Sequence, residues 1–305
     1  MLFTHVTSGC IPIDAVLGTT FQVYSIKFTE LKGFKWPLKV YGVVTARDEV
    51  DMQRNPLFVR SRGDCQIITR KDPFLHLTGP CRAIMSEGRI DIEIQLRVKR
   101  GTMSQDRALI SQVCTFNGDN VHDFRSCLID NHFCTMELSY EHLEKSVQAT
   151  IFGVQVVDRE APSPFEYGVR VVCSSLPNNG PQDDVYEEAV LLDSKHGTKH
   201  AVKRGYLNLS RQVVSVKLRG RLKVCIQAYT RSGEIGVHGH VFIVPQACNT
   251  SQHICAVGGS EVEVTVAWSL LVEDEYLIKI NGSVDPSEDL PPLHPTLLEK
   301  MGIAE

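Results

Sequence analysis

Four cations crowd one short stretch of the chain, "VKLRGRLK": Lys217, Arg219, Arg221 and Lys223. Apolar residues alternate with them, so Val214, Val216 and Leu218 are expected to point inward and Lys217 and Arg219 outward. A turn at Gly220 then brings Arg221 and Lys223 onto the same solvent face. Clustered cations of this kind could meet the phosphates of RNA or the headgroups of an anionic membrane. The wider segment 195–231 carries ten Lys or Arg and no Asp or Glu. The plainer explanation is a solvated sheet face balanced by the acids at 183–193 and 273–289.

Two further patterns use metal-ligand residue types. "CLIDNHFC" and "CNTSQHIC" share the spacing Cys-x4-His-x-Cys, through Cys127, His132, Cys134 and Cys248, His253, Cys255. Sulfur and imidazole suit tetrahedral zinc. Neither segment has a Cys-x-x-Cys knuckle, though, and each would need a fourth ligand from elsewhere. Cysteine as a small buried hydrophobe is the commoner role, so no metal or other cofactor is expected. Calcium would need several carboxylates on neighbouring loops. Asp48, Asp51, Asp64 and Asp72 are instead interleaved with Arg47, Arg54, Arg60 and Arg62.

Catalytic patterns are missing. There is no Gly-x-Ser-x-Gly elbow, no glycine-rich phosphate loop and no His-Glu-x-x-His. His76 and His240 each stand alone on a strand-like segment, the usual setting of a structural histidine. The expectation is a protein that is not an enzyme.

The elements that must position these residues are strands. Period-two alternation marks "FQVYSIKF" (21–28), "LKVYGVVTAR" (38–47), "FLHL" (74–77), "RIDIEIQLRVK" (89–99) and "ALISQV" (108–113). It continues in "SVQATIFGVQVV" (146–157), "YGVRVV" (167–172), "VVSVKL" (213–218), "RLKVCIQAY" (221–229), "HVFIV" (240–244) and "EVEVTVAWSLLV" (261–272). Only "SYEHLEKSV" and "HPTLLEKMG" carry a helical spacing. The chain also repeats itself. Tyr41-Gly42-Val43 matches Tyr167-Gly168-Val169, and Leu75-His76-Leu77 matches Leu207-Asn208-Leu209. Gly88-Arg89-Ile90 with Ile92 and Ile94 matches Gly220-Arg221-Leu222 with Val224 and Ile226. Gln112-x-Cys114 matches Gln246-x-Cys248. Three segments, "FQVYSIKFTEL", "VQATIFGVQVV" and "VEVTVAWSLLV", read as copies of one strand.

The expected fold is therefore all-β, with two tandem, internally duplicated β-sandwich-like domains and a short irregular C-terminal tail. The divisions fall at 1–20 for an N-terminal extension, 21–145 and 146–273 for the two repeats, and 274–305 for an acidic, proline-containing tail. In the first repeat Glu87, Arg89 and Asp91 stand where the second has cations, so the fold itself does not require that charge.

A length of 305 residues, 43% hydrophobic and 22% charged, suits two soluble cores. The net charge of -4 gives no global pull toward nucleic acid or anionic lipid, so any such attraction must be local. No run approaches a membrane-spanning length. The first twenty residues lack the basic and apolar regions of a secretory signal. The ten cysteines are accordingly expected to remain thiols in the cytoplasm or nucleus. Asn208, Asn249 and Asn281 head glycosylation patterns that an unexported chain would not use.

The segments "FQVYSIKFTELKGFKWPLKVYGVVTARD", "DPFLHLTGPCRAI", "AVLLDSKHG", "LSRQVVSV", "GRLKVCIQA" and "EVTVAWSLL" together resemble a grass-expanded plant family defined by a domain of unknown function. The resemblance covers about residues 20–271. Some members of that family carry the domain beside a ribosome-inactivating N-glycosidase. The Glu-Ala/Ser-x-Arg-Phe pattern of that enzyme is not in this chain, and the tail after Leu271 departs from the family pattern. What the resemblance implies is a stress or defence setting without the glycosidase activity. The expected function is a non-catalytic plant stress- or defence-associated interaction protein with protein partners. RNA or anionic-membrane binding through Lys217, Arg219, Arg221 and Lys223 is the alternative, and an enzyme of unfamiliar motif the third.

Overall fold

The computed structural model describes residues 15–50, 53–118, 124–157, 164–178, 186–195, 202–203 and 205–272. Among them the regular structure is strand, apart from one 3-10 turn. No helix among them is long and apolar enough to cross a membrane. The first short strand, β1 (Ala15–Val16), belongs with the second of two compact units. The first unit runs over Gly18–Glu144, the second from Lys145 onward.

The first unit contains β2 (Gly18–Leu31), β3 (Leu38–Arg47), β4 (Asn55–Arg60), β5 (Gln66–Ile68), β6 (Arg89–Val98), β7 (Arg107–Asn117) and β8 (Arg125–Asp130). It is completed by the beginning of a long strand, β9 (Cys134–Val156). One sheet has the order β4-β3-β6-β7, with β5 also on β3. In the other, β2 and β8 pair with β9. β6 shows why these residues make a sandwich. Ile90, Ile92, Ile94 and Leu96 alternate onto one face and are at most 1% exposed, while Arg89, Glu93 and Arg97 take the other. Each such buried side chain contributes roughly 1.5–3 kcal/mol. Phe21, Val23, Ile26 and Phe28 supply the core side of β2.

The second unit adds β10 (Val169–Pro177), β11 (Ala189–Asp193), β12 (Val202–Lys203), β13 (Tyr206–Leu207), β14 (Val213–Lys217), β15 (Gly220–Tyr229), β16 (Ile235–Ile243), β17 (Cys248–Val257), β18 (Ser260–Ser269) and β19 (Leu271–Val272). One sheet runs β11-β10-β15-β16. The other runs β12-β13-β9-β18-β17, with β14 on β9, and β19 pairs with β1. Here Leu222, Val224, Ile226 and Ala228 form the buried face of β15.

The two units share one strand order. β4-β3-β6-β7 is matched by β11-β10-β15-β16, and the β8–β9 hairpin by β17–β18. Irregularities recur at matching places. β3 slips register between Val44 and Thr45 and β10 between Val171 and Val172. β6 slips between Leu96 and Arg97 and β15 between Ala228 and Tyr229. The Leu57 carbonyl accepts from the backbone N–H groups of Thr78 and Gly79, just as Leu191 accepts from Ser210 and Arg211. Gly42 stands opposite Leu96 and Val169 opposite Ala228, so the ladder sets Gly42 against Val169. The expected match with Gly168 is off by one residue; both glycines nonetheless have positive φ, 130° and 124°. A Cβ there would lie 2.1 Å from the Gln95 carbonyl oxygen and 2.3 Å from that of Ser194. Glycine is the residue that tolerates both constraints.

Several expectations need correction. Gln112 stands opposite Ile94 and Gly239 opposite Ile226, so Gln112 corresponds to Gly239, and Gln246 falls between β16 and β17. "SYEHLEKSV" is not helical but lies inside β9, where pairing with β8, β14 and β18 overrides the local spacing. "FLHL" is not a regular strand; it contributes one bridge, Lys27 to Phe74. "HPTLLEKMG", Cys10 and the tail 274–305 lie outside the described residues.

Candidate functional site

The cationic stretch is not a hairpin. β14 pairs with β9, placing Lys217 opposite Ser146, whereas β15 pairs with β10 and β16. Residues 218–219 therefore carry the chain from one sheet to the other. Val213, Val214, Ser215 and Val216 are all buried, Lys217 and Leu218 are half-buried, and Arg219 is exposed. What the structure brings together is Arg221 and Lys223. They alternate with buried Leu222 and Val224, so they lie on the outer face of β15.

Across the ladder, Lys223 pairs with Phe242 and Cys225 with His240. The Arg221 guanidinium carbon lies 5.3 Å from the Phe242 ring centroid and the Lys223 ammonium 5.9 Å. The His240 ring meets Phe242 edge-on at 5.1 Å. Burial, then Lys223 and His238, lowers the His240 pKa, so the ring is neutral at pH 7. Burial likewise raises the Cys225 pKa and keeps its thiol protonated. Further across the same face, Arg170 contacts Glu188 at 3.0 Å, Asp193 at 3.6 Å and Gln227 at 3.0 Å. Among the described residues no carboxylate comes within 4 Å of Arg219, Arg221 or Lys223.

The equivalent face of the first unit is neutralised. Glu93 binds Arg47 at 2.6 Å and Arg54 at 2.7 Å, and Asp91 binds Arg89 at 3.0 Å. Burial alone would raise the Asp91 pKa. Hydrogen bonds from Arg89 and Thr115 outweigh it and hold the carboxyl below its ordinary value.

The zinc candidates are not gathered. Cys127 stands opposite Leu138, four residues along β9 from Cys134, or ~13 Å at strand rise. His132 sits exposed in the turn between them. Cys134 is buried, and that burial pushes its thiol up to about 11. Cys248, His253 and Cys255 all lie on β17, with its two cysteines ~23 Å apart. The calcium candidates are also dispersed. Asp48 binds Arg82 and accepts from the Met85 N–H at 2.8 Å, and Asp64 binds Arg60 at 2.6 Å. Asp72 lies 3.4 Å from His76, and Asp51 is outside the described residues. Among the described residues no three His, Cys, Asp or Glu stand together as a metal site. The nine cysteines among them are free thiols.

Sequence reading misses a histidine dyad and a loop cluster. Ser86 Oγ lies 2.7 Å from His142 Nδ1, at exposures of 1% and 4%, under the Phe21 and Tyr140 rings. A pair closed off in this way offers a substrate no approach. At one end of the first unit, Arg107 stacks on Phe34 at 5.0 Å and on Phe133 at 5.7 Å, and Arg100 on Phe34 at 5.9 Å. The bunched cations and aromatics of "KGFKWP" and "VKRGTMSQDR" are the available signal for this cluster.

No curated protein matches the chain in sequence. Solved structures that it resembles include human GIVD cytosolic phospholipase A2, at 8% identity and a TM-score of 0.26, over 85% of this chain and 33% of that one. The chain thus spans about a third of the phospholipase's length. A two-domain structure of Extended-Synaptotagmin 2 gives 10% identity and a TM-score of 0.27, over 89% of this chain and 98% of that one. Likeness at this level fixes neither fold nor chemistry. The match that identifies is to a family model, the domain of unknown function DUF6598, over residues 20–266. It takes in most of both units, and the chain belongs to that family.

Proposed function

We propose that the protein is a non-catalytic interaction protein, of the plant stress- or defence-associated kind that its sequence resemblance implies. Its contact is the outer face of β15 and β16, and the partner presents an extended acidic segment there. The observation behind this reading is the un-neutralised pair Arg221 and Lys223 beside Phe242, where the first unit has Glu93 and Asp91 ion pairs. Two residues apart on one strand, these cations are ~6.6 Å apart in rise. Alternate carboxylates on an extended segment have the same spacing. Arg221 supplies the planar fork that suits a carboxylate. Single-stranded RNA is the second reading, favoured by the Phe242 and His240 rings on which bases could stack. Such a protein works in the cytoplasm or nucleus.

Fluorescence anisotropy with a labelled oligoglutamate and a labelled RNA oligonucleotide tests the proposal. The glutamate probe should bind at low salt and weaken when Arg221→Gln and Lys223→Gln are combined. Tighter, steeply salt-dependent binding of the RNA would replace the first reading by the second. If neither probe binds at low salt, the face is simply solvated.

A further inference from the structure

The first unit carries a second cationic surface, unlike the first in shape. Three connections converge at one end of its sandwich: 32–37, 99–106 and 131–133. The Lys32 N–H donates to the Phe133 carbonyl at 2.7 Å, and the Lys99 N–H to that of Lys39 at 2.8 Å. Asn131 Nδ2 donates to the Leu109 carbonyl at 2.9 Å. Beneath them, closed to solvent, Asp106 accepts from Arg62, Tyr41 and the Arg100 N–H. Its hydrogen bond from Arg62 holds the carboxyl well below the usual range. The 99–106 connection is thereby anchored from below. At its crest the 3-10 turn Met103–Gln105, closed by a capping box from Thr102 to Gln105, leaves Met103 75% exposed.

The converging connections and the start of β7 carry four cations, Lys35, Lys99, Arg100 and Arg107. Among the described residues none of the four has a carboxylate within 4 Å. The acids nearby are already engaged or turned away: Asp106 to Arg62, Asp130 to Lys32 with Glu30 beside it, and Asp64 to Arg60. Arg107 rests over the Phe34 and Phe133 rings and Arg100 over Phe34.

From this end of the first unit we infer that the protein docks on an anionic lipid bilayer. Met103 enters the interface, and Lys35, Lys99, Arg100 and Arg107 meet the headgroups. The combination decides the occupant. A polyanion in water would need the cations but would gain nothing from a bare methionine at the crest. A bilayer rewards both, because apolar burial and attraction to anionic headgroups add.

Co-sedimentation of the full chain with vesicles of phosphatidylcholine, with and without phosphatidylserine, tests this. Binding should require phosphatidylserine and weaken as salt shortens the screening length. Each of Lys35→Gln, Lys99→Gln and Arg100→Gln should reduce the partition coefficient about fivefold. Met103→Asp should reduce it without altering the far-ultraviolet circular dichroism, because that residue is 75% exposed. The Arg221→Gln, Lys223→Gln protein should bind vesicles as the native chain does, separating this inference from the proposed partner site. Equal binding to neutral vesicles, loss of binding in the Arg221, Lys223 variant instead, or no binding at low salt would each overturn it.

Discussion

β6 and β15 hold the same place in the same topology, and their inner faces are interchangeable. Ile90, Ile92, Ile94 and Leu96 on one are Leu222, Val224, Ile226 and Ala228 on the other. Their outer faces share no such likeness. Glu93 and Asp91 tie down Arg47, Arg54 and Arg89 in the first unit, while Arg221 and Lys223 rest on Phe242 in the second. The following connections differ too. β6 leads into the raised 3-10 turn at Met103, and β15 into a short turn closed by the Thr230 N–H to the Glu234 carbonyl. The duplicated pattern constrains what is buried and leaves the outer face and the loop crest free to diverge, so those are the places to look for function.

The largest effects should come from breaking what holds each core. Trp268 is fully buried on β18, and its indole N–H donates to Ser251 Oγ at 2.9 Å. Trp268→Ala should cost about 3–5 kcal/mol. The first unit has a buried ion pair instead, Asp48 with Arg82. Asp48→Asn would leave the Arg82 charge uncompensated, at about 3–5 kcal/mol. Urea unfolding gives the magnitude, and hydrogen exchange should locate the first loss in β17 and β18 and the second around β3 and residues 82–86. A cost below about 1 kcal/mol for either would mean that its unit is held by something else. Next come Gly42→Ala and Gly168→Ala. Both residues share a positive φ and a close carbonyl, so each should cost about 1–3 kcal/mol, and alike. Sharply unequal costs would show that the neighbouring carbonyl, Gln95 on β6 for one and Ser194 just after β11 for the other, outweighs the shared positive φ.

How much of this can be read in the sequence follows from what each pattern encodes. Alternation in "RIDIEIQLRV" and "RLKVCIQAY" encodes a buried face, and those strands lie where the pattern puts them. The same rule cannot say which strand pairs with which. "VVSVKL" and "RLKVCIQAY" look like the two arms of a hairpin around Gly220, yet they enter different sheets. Lys217 thus groups with Arg221 and Lys223 in the sequence alone, because pairing is non-local. "SYEHLEKSV" reads as a helix since its partner strands are invisible in it. Phe242 escapes for the same reason: nothing local to "HVFIV" shows that it will stand opposite Lys223. Neither can the end cluster be assembled from "KGFKWP" and "VKRGTMSQDR", which meet only once the sandwich closes.

A pH titration sharpens the comparison on a smaller scale. Burial first, then Arg125, lowers the His142 pKa below its ordinary value. The ring is neutral when folded and gains a proton on unfolding as pH falls below about 6.5. The unfolded state then binds more protons, so stability present above that pH is lost as pH drops through the folded pKa. The urea midpoint should fall between pH 7 and 5, and His142→Gln should make that fall shallower. A midpoint whose pH slope is unchanged by the substitution would show that His142 is not the group responsible.

The smallest effects belong to the two outer faces, and their signs should be opposite. Removing the Glu93 charge with Glu93→Gln leaves Arg47 and Arg54 facing one another, a loss of up to about 1 kcal/mol for these partly exposed pairs. Replacing Arg221 and Lys223 by glutamine removes a like-charge neighbour and no ion pair. Stability should stay within about 0.5 kcal/mol of the native value, or rise slightly. Salt separates the two further. At 1 M, where screening acts within about 3 Å, the native first-unit pairs weaken while the repulsion between Arg221 and Lys223 is relieved. Both substitutions are therefore best measured by urea unfolding at low and high salt. A clear loss on neutralising Arg221 and Lys223 would make them structural and remove the reason for seeking a ligand there. An unchanged or higher stability would mean that the cations do not serve the fold, and the anisotropy experiment then decides between an anionic partner and a solvated face.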